Sequence, residues 1–132
     1  MSKTGEIVRG VYMSFAKADV ATVLAAFDPQ INWREVDNFL YADRNPYIGP
    51  QAVVEGVFQR LGADLENFAI VPERFVEGDD AVVVEGRYRA TMKRTGAAID
   101  AQFAHVWGLR DGKIVRFQQY TDTKQWDNAA RG

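Results

Sequence analysis

Residues 80–93 read DAVVVEGRYRATMK, residues 98–110 read AIDAQFAHVWGLR, and residues 113–121 read KIVRFQQYT. In the first run Val82, Val84, Gly86, Tyr88, Ala90 and Met92 alternate with Val83, Glu85, Arg87, Arg89, Thr91 and Lys93. A period of two places successive side chains on opposite faces of a strand, so this run predicts one buried face and one wet face. The second run is apolar on both sides: Ile99, Phe103, Trp107 and Leu109 share one face, and Ala98, Ala104 and Val106 share the other. A strand of that kind needs cover on both faces. The same period extends back to residue 65, predicting strands over 65–77, 80–93, 98–110 and 113–121. The joins are turn chemistry: Gly78-Asp79-Asp80, Arg94-Thr95-Gly96 and Asp111-Gly112. Joins this short make the four strands antiparallel neighbours.

The first third of the chain has helical spacing instead. Ile7, Val8, Val11, Tyr12 and Phe15 fall three and four apart. Asp19 is placed to cap a second short helix presenting Val20, Val23, Leu24 and Phe27, which Asp28-Pro29 stops. A short strand, Ile31 to Val36, sets Ile31, Trp33 and Glu35 on one face. The stretch from Asp37 to Gly49 holds Phe39, Leu40, Tyr41 and Tyr47 among Asn, Asp and Pro, a composition suited to a lid or pocket wall. Pro50 opens a third helix with Val53, Val54, Val57, Phe58 and Leu61 on its apolar face, and Gly62 is placed to end it. Asp122, with Gln125 three residues on, caps a final short turn. The reading is a single α+β domain over residues 1–132, its helices packed into a strongly curved sheet around an internal pocket.

Composition narrows the chemistry. The chain has 132 residues, no cysteine and one histidine, His105. Thiolate nucleophiles, disulfides and cysteine or paired-histidine metal sites are therefore excluded, and the expectation is no metal and no cofactor. A net charge of −2 gives no field to gather nucleic acid or an anionic membrane. With no apolar leader and no long apolar run, the expected location is cytoplasmic.

The order of elements resembles the nuclear transport factor 2-like fold, and within it the SnoaL-like polyketide cyclase and ketosteroid isomerase-like branch. The resemblance is carried by Phe15-Ala16-Lys17-Ala18-Asp19, Ile31-Asn32-Trp33-Arg34-Glu35 and Asn45-Pro46-Tyr47-Ile48-Gly49-Pro50. His105 through Ile114 and Tyr120-Thr121-Asp122-Thr123 complete it. It implies a cone-shaped α+β barrel with a hydrophobic pocket and no cofactor. At the position of the isomerase base it places Glu35. Where that enzyme has a protonated aspartate it places Ala104, and where the enzyme has a tyrosine on the first helix it places Val11, with Tyr12 one residue away. The base is kept and the oxyanion hole is not, which argues against a steroid isomerase. The resemblance also turns Tyr88, Asp100, Gln102, Ala104, Phe117, Gln119 and Thr121 inward.

The candidate site follows. Glu35 beside Trp33 on a buried face has its charged form disfavoured, which suits a general acid–base; alternatively the strand ends before it, and it pairs with Arg34, Arg44 or solvent. Asp100 is a second acid if inward and a surface group if outward. Gln102 and Gln119 are placed to bind a ligand carbonyl or a water. Tyr12, Trp33, Tyr41, Phe58, Tyr88, Phe117 and Thr121 complete the candidate ligand-binding set, with ordinary core packing as the competing role for the aromatics. His105, opposite to Ala104, is expected to hydrogen-bond across a sheet or dimer contact and not to act in chemistry. The expected partners are a small hydrophobic ligand and a second copy of the chain covering the outer face of the sheet.

Overall fold

The structure is a computed structural model that describes residues 2–132. Helix α1 (Lys3–Ala16) starts where Ser2 Oγ accepts the Gly5 N–H. Asp19 caps α2 (Val20–Ala25) by accepting from Thr22 N–H, as its position in the sequence predicts. Strand β1 (Phe27–Arg34) follows, then a 3-10 turn at Ala42–Arg44 and the two-residue strand β2 (Tyr47–Ile48). Helix α3 (Pro50–Val53) has Pro50 in its first turn, passes through a π-helical turn at Val54–Phe58, and continues as α4 (Gln59–Asp64). Strands β3 (Leu65–Glu77), β4 (Ala81–Met92), β5 (Ala98–Arg110) and β6 (Lys113–Thr121) precede the last helix, α5 (Thr123–Arg131).

The sheet order is β2-β1-β6-β5-β4-β3. The run from β3 to β6 is antiparallel throughout, and β1 joins β6 in parallel. The sheet is curved and does not close, since β2 and β3 are its edges. The Asp111-Gly112 hairpin takes φ of 52° and 77°, the left-handed pair that a two-residue turn needs. On β4 the inner face carries Val82, Val84, Tyr88, Ala90 and Met92, all buried as the alternation predicts.

Four boundaries differ from the sequence reading. Strand β1 begins at Phe27, four residues before Ile31, because Phe27 pairs with Ile114 of β6 and the register then shifts before Asn32. Pro29 sits inside that irregularity, where no ladder donor is required of it. Glu35 and Val36 lie just beyond the strand's end at Arg34. Gly62 does not stop the third helix: α4 runs on to Asp64. The expected final turn is a nine-residue helix, with Asp122 accepting from Gln125 N–H and Trp126 fully buried beneath it.

Candidate functional site

Glu35 leaves the end of β1 toward the interior. Asn45, in the aromatic loop, grips its backbone at two points: Asn45 Oδ1 accepts the Glu35 N–H at 3.0 Å, and Asn45 Nδ2 donates to the Glu35 carbonyl at 2.7 Å. The side chain is 3% exposed, and its carboxyl has no hydrogen-bond partner of good geometry among the described residues. Burial pushes its pKa up to about 8, against the opposing pull of the Trp33 indole and the Arg60 guanidinium. Trp33 lies face to face with Phe117 at 3.7 Å, and its own Nε1–H is buried without a partner. Arg60 is engaged from the other side through its two terminal nitrogens. It donates to both carboxylate oxygens of Asp43 at 2.9 and 3.1 Å and lies over the Tyr41 ring at 4.6 Å.

Glu35 lies on an internal cavity of about 50 Å³. The helices contribute Tyr12, Phe15 and Phe58, and the sheet contributes Trp33, Tyr88 and Phe117 with Gln119 and His105. Phe15 meets Phe58 and Phe68 edge to face at 5.4 and 6.3 Å, and all three are half-buried. These rings form the rim. Pockets that hold small organic ligands usually span roughly 300 Å³ or more, so a ligand of two fused rings needs the rim to part.

His105 does hydrogen-bond across the sheet, to Tyr88 of the neighbouring strand β4, but not at a dimer contact. It is buried in the cavity wall, not at an outer contact. Its Nδ1 lies 2.6 Å from Tyr12 Oη, and its Nε2 lies 2.5 Å from Tyr88 Oη. Trp107 Nε1–H donates to Tyr12 Oη at 2.9 Å, and Gln119 Nε2–H donates to Tyr88 Oη at 3.1 Å. The imidazole stacks on Phe103 with centroids 4.0 Å apart. Burial pulls its pKa down to about 3, so the ring is neutral at pH 7.

The sequence-derived set divides. Tyr12, Trp33, Glu35, Phe58, Tyr88, Phe117 and Gln119 all line the cavity. Tyr41 is buried elsewhere, with its hydroxyl donating to Asp64 at 2.6 Å. Asp100 and Gln102 point to the outer face and are exposed, and Ala104 shares that face. Asp100 pairs with Arg87 at 2.7 Å, which holds its carboxyl below the usual carboxylate range. Thr121 has the inward parity, but its hydroxyl is engaged: it donates to the Gln102 carbonyl at 2.6 Å and accepts from Trp126 Nε1–H at 3.3 Å.

The inward parity that the resemblance gave to Asp100, Gln102 and Ala104 is therefore inverted. The ladder pairs His105 with Val84 on one side and Gln119 on the other, and all three are buried. Phe39, from the aromatic stretch read as a lid or pocket wall, does line the cavity, whereas Trp126, which also lines it, was missed. Sequence reasoning also missed the place of His105 in the cavity wall, although the apolar parity of Phe103, Trp107 and Leu109 had already placed that side chain inside.

Comparison with known proteins agrees with this architecture. The SnoaL-like domain model matches residues 8–117. A nuclear transport factor 2-like protein from Burkholderia thailandensis E264 is 32% identical, with all of both chains covered and a TM-score of 0.94. A nuclear transport factor 2-like protein of unknown function from Burkholderia pseudomallei K96243 is 26% identical over all of both chains, with a TM-score of 0.91. TerC, co-crystallized with polyporic acid, is 25% identical over 99% of this chain and 100% of its own, with a TM-score of 0.89. No functionally curated protein matches the sequence significantly. The matched span covers most of the chain and includes Glu35, His105, strands β1 to β5 and the first half of β6, so the chain belongs to the SnoaL-like domain family of the nuclear transport factor 2-like fold.

Proposed function

We propose that the cavity binds a small, largely apolar carbonyl compound and that Glu35 moves a proton on it without a cofactor, as in isomerase and cyclase chemistry. The observation that carries this reading is a carboxyl, 3% exposed, set on a cavity among aromatic side chains. A buried acid whose burial outweighs the pull of its neighbours lowers stability, which argues for a use. A pKa of about 8 poises it near neutrality. Abstraction breaks a C–H bond next to the carbonyl. The proton passes to a Glu35 carboxylate oxygen, and the bonding pair delocalises onto the carbonyl oxygen. Return of the proton to a different carbon completes an isomerisation. The co-crystal of TerC with polyporic acid supports a ligand site in a similar fold and makes that compound the first probe.

The second reading is a binding protein that holds the same kind of molecule without turnover. The narrowness of the cavity and its rim of packed phenylalanines favour it. A thermal-shift screen of polyporic acid, steroids, terpenoids and keto acids, with the native protein beside Glu35→Gln, tests both. A ligand at 100 times its Kd adds about 2.7 kcal/mol. A ligand that stabilises both proteins and is converted only by the native one supports the enzyme reading. A ligand that neither protein converts supports the carrier.

We further propose a homodimer through the outer face of the sheet. Val83, Ala104 and Val106 lie there half-buried, beside the exposed Tyr120. Light scattering after size exclusion at micromolar concentration tests it, and a monomer mass rejects it. No helix of the described residues is long and apolar enough to cross a membrane.

A further inference from the structure

The hydrogen-bonded cluster in the cavity wall can be counted proton by proton. The amide of Gln119 has a fixed orientation, because its Oε1 accepts the backbone N–H of Val36 at 3.3 Å. Its Nε2 must therefore donate to Tyr88 Oη. Trp107 Nε1 is a donor only, so Tyr12 Oη accepts from it. What remains are two contacts, His105 Nδ1 to Tyr12 Oη and His105 Nε2 to Tyr88 Oη. Three protons are available for them: one on the neutral imidazole and one on each phenol. Each contact takes one proton.

One hydroxyl proton is therefore left over, whichever tautomer the ring adopts. If Nδ1 carries the ring proton, Tyr88 donates to Nε2 and Tyr12 has the spare O–H. If Nε2 carries it, Tyr12 donates to Nδ1 and Tyr88 has the spare O–H. Neither hydroxyl has another partner among the described residues, and both tyrosines line the cavity. A buried donor without an acceptor costs free energy that a suitable ligand atom recovers.

We infer that Tyr12, His105 and Tyr88 act as one hydrogen-bond-donor site reserved for a single acceptor oxygen of the ligand, of ketone, quinone or enolate type. This rests on the reading of the cavity as a site for a small apolar molecule, and it narrows that class to molecules carrying one buried acceptor oxygen. His105 is a positioning residue here: its tautomer decides which tyrosine donates, so the site serves an oxygen near either hydroxyl. The set is built differently from a tyrosine with a protonated acid, whose acid position here is Ala104 on the outer face. One other donor must be separated from it, the unpartnered indole N–H of Trp33 on the same cavity.

The test uses 1-tetralone and tetralin, which share a bicyclic skeleton and differ by the carbonyl oxygen. Both are titrated into the native protein and into Trp33→Phe. The expected result is roughly tenfold tighter binding of the ketone in both proteins, the worth of one net hydrogen bond. The carbonyl stretch of the bound ketone falls below its value in cyclohexane. With ¹⁵N-labelled histidine the single imidazole shifts on adding the ketone and much less on adding tetralin. Because this readout needs no substitution, it holds even if Trp33→Phe fails to fold. Equal affinities overturn the donor site while leaving the cavity reading intact. A ketone preference lost in Trp33→Phe assigns the donor to the indole and overturns it as well. If neither compound binds, the cavity reading falls and the donor site falls with it.

Discussion

Replacing Glu35 by Gln should change stability in a way that depends on pH, and the size of the effect follows from burial. The carboxyl has an ordinary value of 4.5 and is pushed up to about 8 in the folded protein. A group whose pKa is higher folded than unfolded holds its proton longer in the folded state. Its favourable contribution is complete below pH 4.5 and is lost as pH rises toward 8. Each unit in that window removes about 1.4 kcal/mol, so about 3 kcal/mol is gone by pH 7 and nearly 5 kcal/mol by pH 9. Glutamine has the same shape and does not titrate. The difference in unfolding free energy, Glu35→Gln minus native, should therefore grow by about 4 kcal/mol between pH 5 and pH 8.5. Urea unfolding at half-unit intervals measures it, with equal slopes in denaturant showing that both proteins unfold comparably. Every other titrating group cancels in the difference. A gap that stays flat across this range would mean that Glu35 is solvated or paired in solution, and the argument for its poise would fail.

Three further outcomes follow from the packing. His105, pulled down to about 3 from 6.5, leaves the unfolded state binding the extra proton, so its contribution is complete above pH 6.5 and lost on acidification. Glu35→Gln should therefore lose roughly 1.5 kcal/mol between pH 6.5 and 5 in urea unfolding; the imidazole ¹⁵N signals of the folded protein should stay neutral over the same range, and an imidazolium signal at pH 5 would refute it. Trp126→Ala removes a fully buried indole from beneath α5 and should cost about 3–5 kcal/mol by urea unfolding; a loss under 1 kcal/mol would contradict its place in the core. Gly86→Ala sets a methyl group 2.2 Å from the Val71 carbonyl oxygen, a backbone atom that cannot swing aside, and should cost about 1–3 kcal/mol or more by the same assay, whereas Gly10→Ala meets nothing and should not destabilise.

The long strands were legible because the 80–93 run carries one clean alternation and the others keep the same period of two, and because glycine marks every hairpin. Capping by Asp19 and Asp122 was legible for a similar reason, since the signal is local. What escaped was set by contacts distant in sequence. The start of β1 at Phe27 depends on its pairing with Ile114, and nothing near Pro29 announces it. The length of α5 depends on Trp126 finding the cavity beneath the sheet's end. For the site, Glu35 could be placed because Ile31 and Trp33 define a face two residues apart. The parity of β5 was also present in Phe103, Trp107 and Leu109, and it puts His105 inside; the positions borrowed from ketosteroid isomerase gave the opposite answer for Asp100, Gln102 and Ala104. Periodicity within this chain was the better guide, since a one-residue slip in register reverses every side chain of a strand. The pairing of His105 with two tyrosines from α1 and β4 had no local signature at all.

The most direct test of the central claim is deuterium exchange at the carbon next to a carbonyl, followed by proton NMR with 2-tetralone in heavy water. The account predicts exchange catalysed by the native protein, rising with pH to half its limit near pH 8 as Glu35 ionises, and reduced to the buffer rate in Glu35→Gln. Exchange at equal rates in both proteins, or bound 2-tetralone with no catalysed exchange at any pH, would contradict it.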